Sequence, residues 1–343
     1  MAVDYEFLRN KAVLVTGSTG LIGSCLVHTI MELNAKYDYN TAVFASFRNE
    51  KKAQKLFEKY SAHPCFNIVV LDITAPTFVN AVRRFVGFGA PKGLDYIVHS
   101  ATDAHPKAYA EQPVEVMNAN YIGTLALLEL AKHYKARMLY LSSSEIYGDS
   151  RLSDQFRDGT RRFTETDYAP LDPNNARSSY PESKRAAETL CKSYLAEYGV
   201  ESIIARPAVV YGATDSKNTR ADAEFLRLAS RGKDIVLKSD GARVRSYVYV
   251  KDCANALLTL LKHGTSGEAY NIADENAEVS MRKFAETCAK VAGVKLLFDY
   301  DTSAPQPAYG SLLLDTAKIN ALGWNAEYGL EMGVGEAIRN FNA

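Results

Sequence analysis

The chain has 343 residues, 47% hydrophobic and 23% charged, the proportions of a globular protein built as one large α/β body or two lobes. Forty basic residues balance forty acidic ones, which excludes a broad surface for nucleic acid or anionic membrane and leaves room only for a local phosphate pocket. No run reaches the ~18–20 uninterrupted apolar residues of a membrane span. The opening MAVDYEFLRNK carries acids where a signal peptide has its apolar core. Five cysteines (Cys25, Cys65, Cys191, Cys253 and Cys288) show no metal-ligand spacing, so reduced packing thiols, a cytoplasmic location and no metal are expected.

Short apolar runs at 12–16, 41–47, 67–71, 96–99 and 137–142 predict strands. Between them lie stretches such as 21–32 and 114–134, with apolar residues at helical spacing. Residues 181–198 predict a helix, 202–205 a sixth strand and 250–262 a further helix. Strand–helix alternation with nearly continuous apolar strands implies an α/β fold, a doubly wound parallel sheet covered on both faces. The polar, proline-punctuated segment 149–173 reads as a long surface loop over the carboxyl edge of that sheet. The second half is less regular and predicts a smaller C-terminal α/β lobe.

The segment KAVLVTGSTGLIGSCLV sets Gly17, Gly20 and Gly23 between the first strand and the first helix. Gly17 permits a tight turn, Gly20 lets backbone amides approach a pyrophosphate, and Gly23 lets helix and strand pack closely. The helix start, at Leu21 and Ile22, adds positive potential. The spacing is GxxGxxG, which an ordinary turn also tolerates, but the strand–loop–helix context favours a dinucleotide. The fold expected is therefore Rossmann-type. Its dinucleotide-binding domain spans 1–168 with about 178–206 and 246–263, and a substrate lobe takes about 169–177, 207–245 and 264–343. The second strand ends FASFRNEKK, without the acid that would hold a ribose hydroxyl. Arg48 stands there instead, with Lys52 beyond it, which tilts the cofactor from NAD toward NADP; a solvated basic helix start is the alternative. Asp72 and Ile73 follow the third strand, where a carboxylate and the next amide reach adenine, or where the acid caps a helix.

YPESK places Tyr180 and Lys184 four residues apart on one helix face, so the ammonium is expected to lower the phenol's pKa. Pro181 suits the first turn of that helix. LSSSEIYG, with Ser142, Ser143, Ser144 and Glu145, ends the fifth strand, the edge where such sheets bind ligands. With TGSTGLIG, VHSAT, NANYIGT, RPAVVYG, DGARVRSYVYVKD and LGWNAEYGLEMGVGEAI, these motifs run in order along nearly the whole chain. The chain thereby resembles the extended short-chain dehydrogenase/reductases, in their nucleotide-sugar branch. The resemblance implies a triad of Ser143, Tyr180 and Lys184, the last two also on the cofactor, with Tyr180 removing the proton of a sugar C4 hydroxyl. It also implies a homodimer through a four-helix bundle of 114–134 and 181–198. Asn120 matches a family asparagine for which bracing the sheet edge is as good a reading as catalysis.

Members of this branch share a 4-keto intermediate and differ in the fate of that ketone. Ser144-Glu145 departs from the Asp-Glu pair of dTDP-glucose 4,6-dehydratases, and is similar to GDP-mannose 4,6-dehydratases and UDP-glucuronate decarboxylases. The stretch ATDAHPKAYAEQP reads closest to the decarboxylases. Once C4 is a ketone, the C5 proton or carboxylate becomes labile, and Glu145 is placed to handle the C5 proton; a capping carboxylate is the alternative. Simple 4-epimerization needs no such group. The resemblance puts Arg245 on the nucleotide diphosphate, as a bidentate guanidinium would be, with Tyr109 and Ser144 also on the substrate. Val209 stands where many relatives carry a phosphate-contacting asparagine. His99 and His105 read as buried or loop histidines. A carbonyl reductase of dihydroflavonol type is the competing enzyme, opposed by Tyr109, Glu145 and Arg245. A dinucleotide-sensing regulator is opposed by the intact triad.

Overall fold

The computed structural model describes residues 4–102, 104, 106–214, 218–300 and 310–341. Seven parallel strands form the large sheet: β1 (Ala12–Thr16), β2 (Ala42–Phe47), β3 (Phe66–Val70), β4 (Tyr96–His99), β5 (Arg137–Leu141), β6 (Ser202–Pro207) and β10 (Ala269–Ile272). Their order is β10-β6-β5-β4-β1-β2-β3, so the chain reverses direction across the sheet between β1 and β4. All five residues of β1 are buried, as a strand covered on both faces requires. Helices α1 (Leu21–Tyr37) and α8 (Val250–His263) pack together on one face. The other face carries α3 (Phe78–Gly89), α5 (Pro113–Tyr134) and α6 (Ser179–Tyr198). Short helices α2 (Glu50–Leu56) and α4 (Pro106–Glu111) complete this part.

The second lobe is built on a three-stranded sheet, β7 (Val209–Tyr211), β9 (Val244–Tyr249) and β11 (Asp274–Ser280) in the order β11-β9-β7. A parallel pair, β8 (Ile235–Leu237) with β12 (Leu296–Phe298), lies beside it. Helices α7 (Ala221–Ser230), α9 (Met281–Ala292) and α11 (Leu330–Phe341) pack on one another, and the short α10 (Ala317–Asn320) touches β10. Among the described residues no helix is long and apolar enough to cross a membrane. All five cysteines are free, and no cluster of described side chains is arranged to hold a metal ion.

Two expectations need correction. Residues 269–272, expected in the C-terminal lobe, form β10 and close the large sheet against β6, while β9, straddling the expected boundary at 246, belongs to the small sheet. Four residues of AYNI are too few for a periodic signal to reveal an edge strand. The segment 149–173 is also more than a surface loop. Phe156 and Phe163 stack with centroids 3.8 Å apart and are buried with Tyr147 and Leu314. Phe163 ties into the second lobe, donating its amide to Leu313 at 2.8 Å and accepting from Asp315 at 2.9 Å. Two aromatics in a polar segment give no periodicity, so only the fold brings their partners.

Candidate active site

The glycine loop follows β1 directly. Gly17 has φ +64°, and a Cβ there would stand 2.7 Å from the backbone of Ala101. A Cβ on Gly23 would meet the Gly17 carbonyl at 2.5 Å, so helix and loop approach as closely as backbone allows. Gly20 starts α1 without any side-chain cap, and the only atom its Cβ would meet is the Gly17 carbonyl. The first amides of α1, at Leu21, Ile22 and Gly23, are thus left to an anion. Ser18 fastens the loop to β2 through the Ser46 carbonyl. The observed cradle fits a dinucleotide pyrophosphate.

At the ends of β2 and β3, Arg48 and Asp72 lie 4.0 Å apart. Asp72 accepts from the Thr74 amide and hydroxyl at 2.8 and 2.7 Å, so it does cap the following turn. The Ile73 side chain packs against α5, where a Cβ on Gly123 would meet it at 3.2 Å.

The end of β5 and the start of α6 bring the proton-handling groups together. Tyr180 is only 4% exposed, and its ring stacks on Tyr109 of α4 at 4.5 Å. Lys184 is buried one turn on, donating from Nζ to the Leu141 carbonyl at 2.5 Å and lying 5.9 Å from the centre of the Tyr180 ring. Burial pushes the phenol up to about 12, aided by the Glu145 charge, while hydrogen bonds with Ser143 and Tyr109 and the charge of Arg220 oppose it. Burial likewise brings Lys184 down to about 7. Burial thus outweighs the charges around the phenol, and the same burial that raises the tyrosine weakens the lysine's hold on its proton.

Ser143 caps the short turn 144–147, its Oγ accepting from the Glu145 amide at 3.1 Å, and Ser144 is buried within that turn. Glu145 Oε2 accepts from Arg177 Nη2 at 2.7 Å, and the Arg177 guanidinium lies 4.5 Å over the Tyr109 ring. Arg245 stands on β9 opposite Val279 of β11, with its Nε buried and unpartnered. Two residues away, Arg243 donates from Nε and Nη2 to the Gly310 carbonyl at 2.9 and 2.6 Å. Burial and the Arg245 charge bring Arg243 down to about 9. Arg220 forks onto Asp222 at 3.0 and 2.7 Å, and its charge reaches Tyr109 and Tyr180. The charges of Arg177 and Arg243 thus act on or pair with Glu145, that of Arg220 on Tyr180, and Arg245 stands beside Arg243, a concentration of positive charge suited to an anion.

Sequence pattern alone does not single out Arg177, Arg220 or Arg243. Arg177 carries a signal, standing three residues before Tyr180 and so on the same helical face. Arg220 lies in an irregular stretch with none. Asn120 is fully buried and donates to Ser183 at 2.9 Å, while Ser183 bonds the Tyr180 carbonyl at 3.0 Å, so it braces α5 to α6. His99 is buried, paired through Nδ1 with Thr16 at 3.1 Å and held well below its usual pKa by burial. His105 lies outside the described residues.

The sequence matches the profile of the NAD dependent epimerase/dehydratase family over residues 13–273. The chain belongs to that family. Relatives of this epimerase/dehydratase chain include UDP-glucuronic acid decarboxylase 6 of Arabidopsis thaliana, 32% identical over 96% of the chain and 88% of the plant protein. UDP-glucuronic acid decarboxylase 1 of Xenopus tropicalis is 28% identical over 96% of the chain and 72% of the frog protein. A dTDP-glucose 4,6-dehydratase from Bacillus anthracis, solved in complex with NAD, shares the fold at a TM-score of 0.77 and 24% identity, covering 97% of this chain and 96% of its own. The UDP-glucose 4-epimerase of Thermotoga maritima, solved with UDP-glucose, does so at 0.79 and 22%, covering 96% and 98%. As a member of this NAD dependent epimerase/dehydratase family the chain is an enzyme of Rossmann-type fold.

Proposed function

We propose that this enzyme acts on a nucleoside-diphosphate sugar through transient oxidation at C4, and that the second step is decarboxylation, or else 4,6-dehydration, with Glu145 handling the C5 proton. The reading is carried by one observation: Glu145, held by Arg177, is the carboxylate whose charge acts on Tyr180, within a group that also gathers Arg220 and Arg243. NAD or NADP, when bound, would accept the hydride from C4 and give it back, at C4 after decarboxylation or at C6 after dehydration. Tyr180 takes the C4 hydroxyl proton as its phenolate, Ser143 orients that hydroxyl, and Lys184, when protonated, stabilises the phenolate against the burial that raises it. Arg245, with its unpartnered Nε, receives a diphosphate oxygen, alongside Tyr109 and Ser144 on the substrate.

With C4 a ketone, the C5–carboxylate bond of a uronate breaks, its electron pair enters the carbonyl system, carbon dioxide leaves and a proton enters at C5. In dehydration the C5 proton leaves to Glu145 and the C6 hydroxyl departs as water, which needs an acid at the leaving oxygen. Ser144 stands where that acid would be expected, so decarboxylation is the stronger form. The decarboxylases among the relatives support it. Product mass on a panel of nucleoside-diphosphate sugars and uronates decides: loss of carbon dioxide supports the reading, loss of water its dehydratase form. An isomeric product of unchanged mass makes the enzyme a 4-epimerase and overturns it.

For the cofactor the same reading puts NADP ahead of NAD. Arg48 is largely exposed just beyond β2, a strand that ends without an acid of its own, and a charge-assisted pair with a 2′-phosphate there contributes ~1.5–3 kcal/mol. Asp72 at 4.0 Å offsets part of this. Titration showing NAD at least as tight as NADP returns Arg48 to a surface charge. A homodimer and a cytoplasmic location complete the proposal. Val114, Met117, Tyr121 and Leu125 form an exposed apolar stripe along α5 that a second copy would cover.

A further inference from the structure

We propose that Arg177 is a positioning residue that ties Glu145 to the helix carrying Tyr180 and Lys184, so that the C5 step is registered on the C4 step. The proposal rests on the reading that Glu145 handles the C5 proton.

The argument starts from spacing. Arg177, Tyr180 and Lys184 stand at i, i+3 and i+7, which places all three on one face where the short turn 176–178 runs into α6. The Asn175 side chain holds the start of that turn by accepting from the Arg177 amide at 2.9 Å. The backbone below the guanidinium is therefore fixed relative to the phenol. Glu145 comes from elsewhere, the turn after β5. Its own turn orients the backbone through Ser143 but leaves the long carboxylate arm with rotatable bonds.

Arg177 supplies what that arm lacks. Nη2 grips Oε2 at 2.7 Å, a charge-assisted contact, and the planar guanidinium lies 4.5 Å over the Tyr109 ring, which stacks at 4.5 Å on Tyr180. Carboxylate, guanidinium, Tyr109 ring and Tyr180 ring thus make a continuous run of contacts. One oxygen of Glu145 is committed to Arg177; the other is the one that reaches the sugar. A lysine keeps the charge but lacks the flat face and the fork needed for both contacts.

The test separates the two half-reactions. Arg177→Met keeps apolar contact with Tyr109 and removes the grip on Glu145. Expected is C4 oxidation near the wild-type rate in a single turnover, overall turnover down roughly 100-fold from misplacement of the carboxylate, and reduced nicotinamide accumulating by its absorbance. Arg177→Lys recovers part of the loss. Adding Arg177→Met to Glu145→Gln causes little further loss, because both changes remove one function. If Arg177→Met slows C4 oxidation as much as turnover, or multiplies fully with Glu145→Gln, the residue serves folding or substrate binding and the proposal falls. If Arg177→Met leaves turnover intact while Glu145→Gln abolishes it, the proposal falls alone. If Glu145→Gln itself is fully active, the reading beneath it fails first.

Discussion

Tyr180 and Lys184 show burial overriding the simplest view of a tyrosine–lysine pair. Both sit in a dry wall between β5 and α6, so the neutral form of each is favoured, the phenol up to about 12 and the ammonium down to about 7. Replacing Tyr180 by Phe keeps the ring stacked on Tyr109 and removes the proton acceptor; turnover should fall ~10²–10⁴-fold with cofactor titration unchanged. A variant retaining a tenth of the activity would displace Tyr180 from that role. Lys184 also makes stability depend on pH in a defined direction. Its folded pKa of about 7 lies below the ordinary 10.5, so across that interval the unfolded chain binds the additional proton. Stability therefore rises with pH from about 7 toward 10.5 through this group, and the contribution is lost as pH falls. Lys184→Met should be more stable than the wild type at neutral pH and lose that advantage near pH 10, which paired thermal melts would reveal.

At the scale of elements, what was legible came from repetition. The strands β1, β4 and β5 and the helices α1, α5 and α6 are long or apolar enough for period and burial to agree, and the glycines of the first turn announce the cradle. The neighbourhood of Tyr180 and Lys184 was legible because both sit on α6 at i and i+4, whereas Ser143, in the turn after β5, has no such spacing to them. Arg220 and Arg243 were not, since their roles arise where β9 and the entry to α7 meet the sheet edge, a meeting no local pattern encodes. The glycine loop should respond as a unit: Gly17→Ala meets both a left-handed φ and a 2.7 Å backbone contact. Strain of ~1–3 kcal/mol should weaken cofactor titration about 10–100-fold. Helix α6 is also anchored by Glu188, whose carboxylate forks onto Arg206 of β6 at 3.0 and 2.6 Å with both side chains largely buried. Arg206 in turn donates to the Tyr147 hydroxyl at 3.0 Å, linking the pair to the turn that carries Glu145. Glu188→Ala leaves that guanidinium uncompensated, and denaturant unfolding should show a loss of about 3–5 kcal/mol; a loss below one would mean solvent already screens the pair.

For the whole molecule, the α5 stripe is the surface that association would cover. Tyr121→Glu, in its middle, should give a monomer by sedimentation if the chain is a homodimer there, and a wild type already monomeric at micromolar concentration would leave the stripe unused. The large sheet itself is assembled out of order, because β6 is followed by strands of the other lobe before β10 returns to pair with it. During synthesis this becomes a delay. From Pro207 at the end of β6 to Ile272 at the end of β10 the ribosome must add 65 residues (272 minus 207), which at ~5–20 residues per second takes roughly 3–13 s. Throughout that interval the nascent chain offers β6, buried along its whole length in the finished protein, as a bare edge open to pairing with any neighbouring strand. Ribosomes crowded on one message are the place where this enzyme would misassemble, and slowing translation between those two strands would lengthen the exposure.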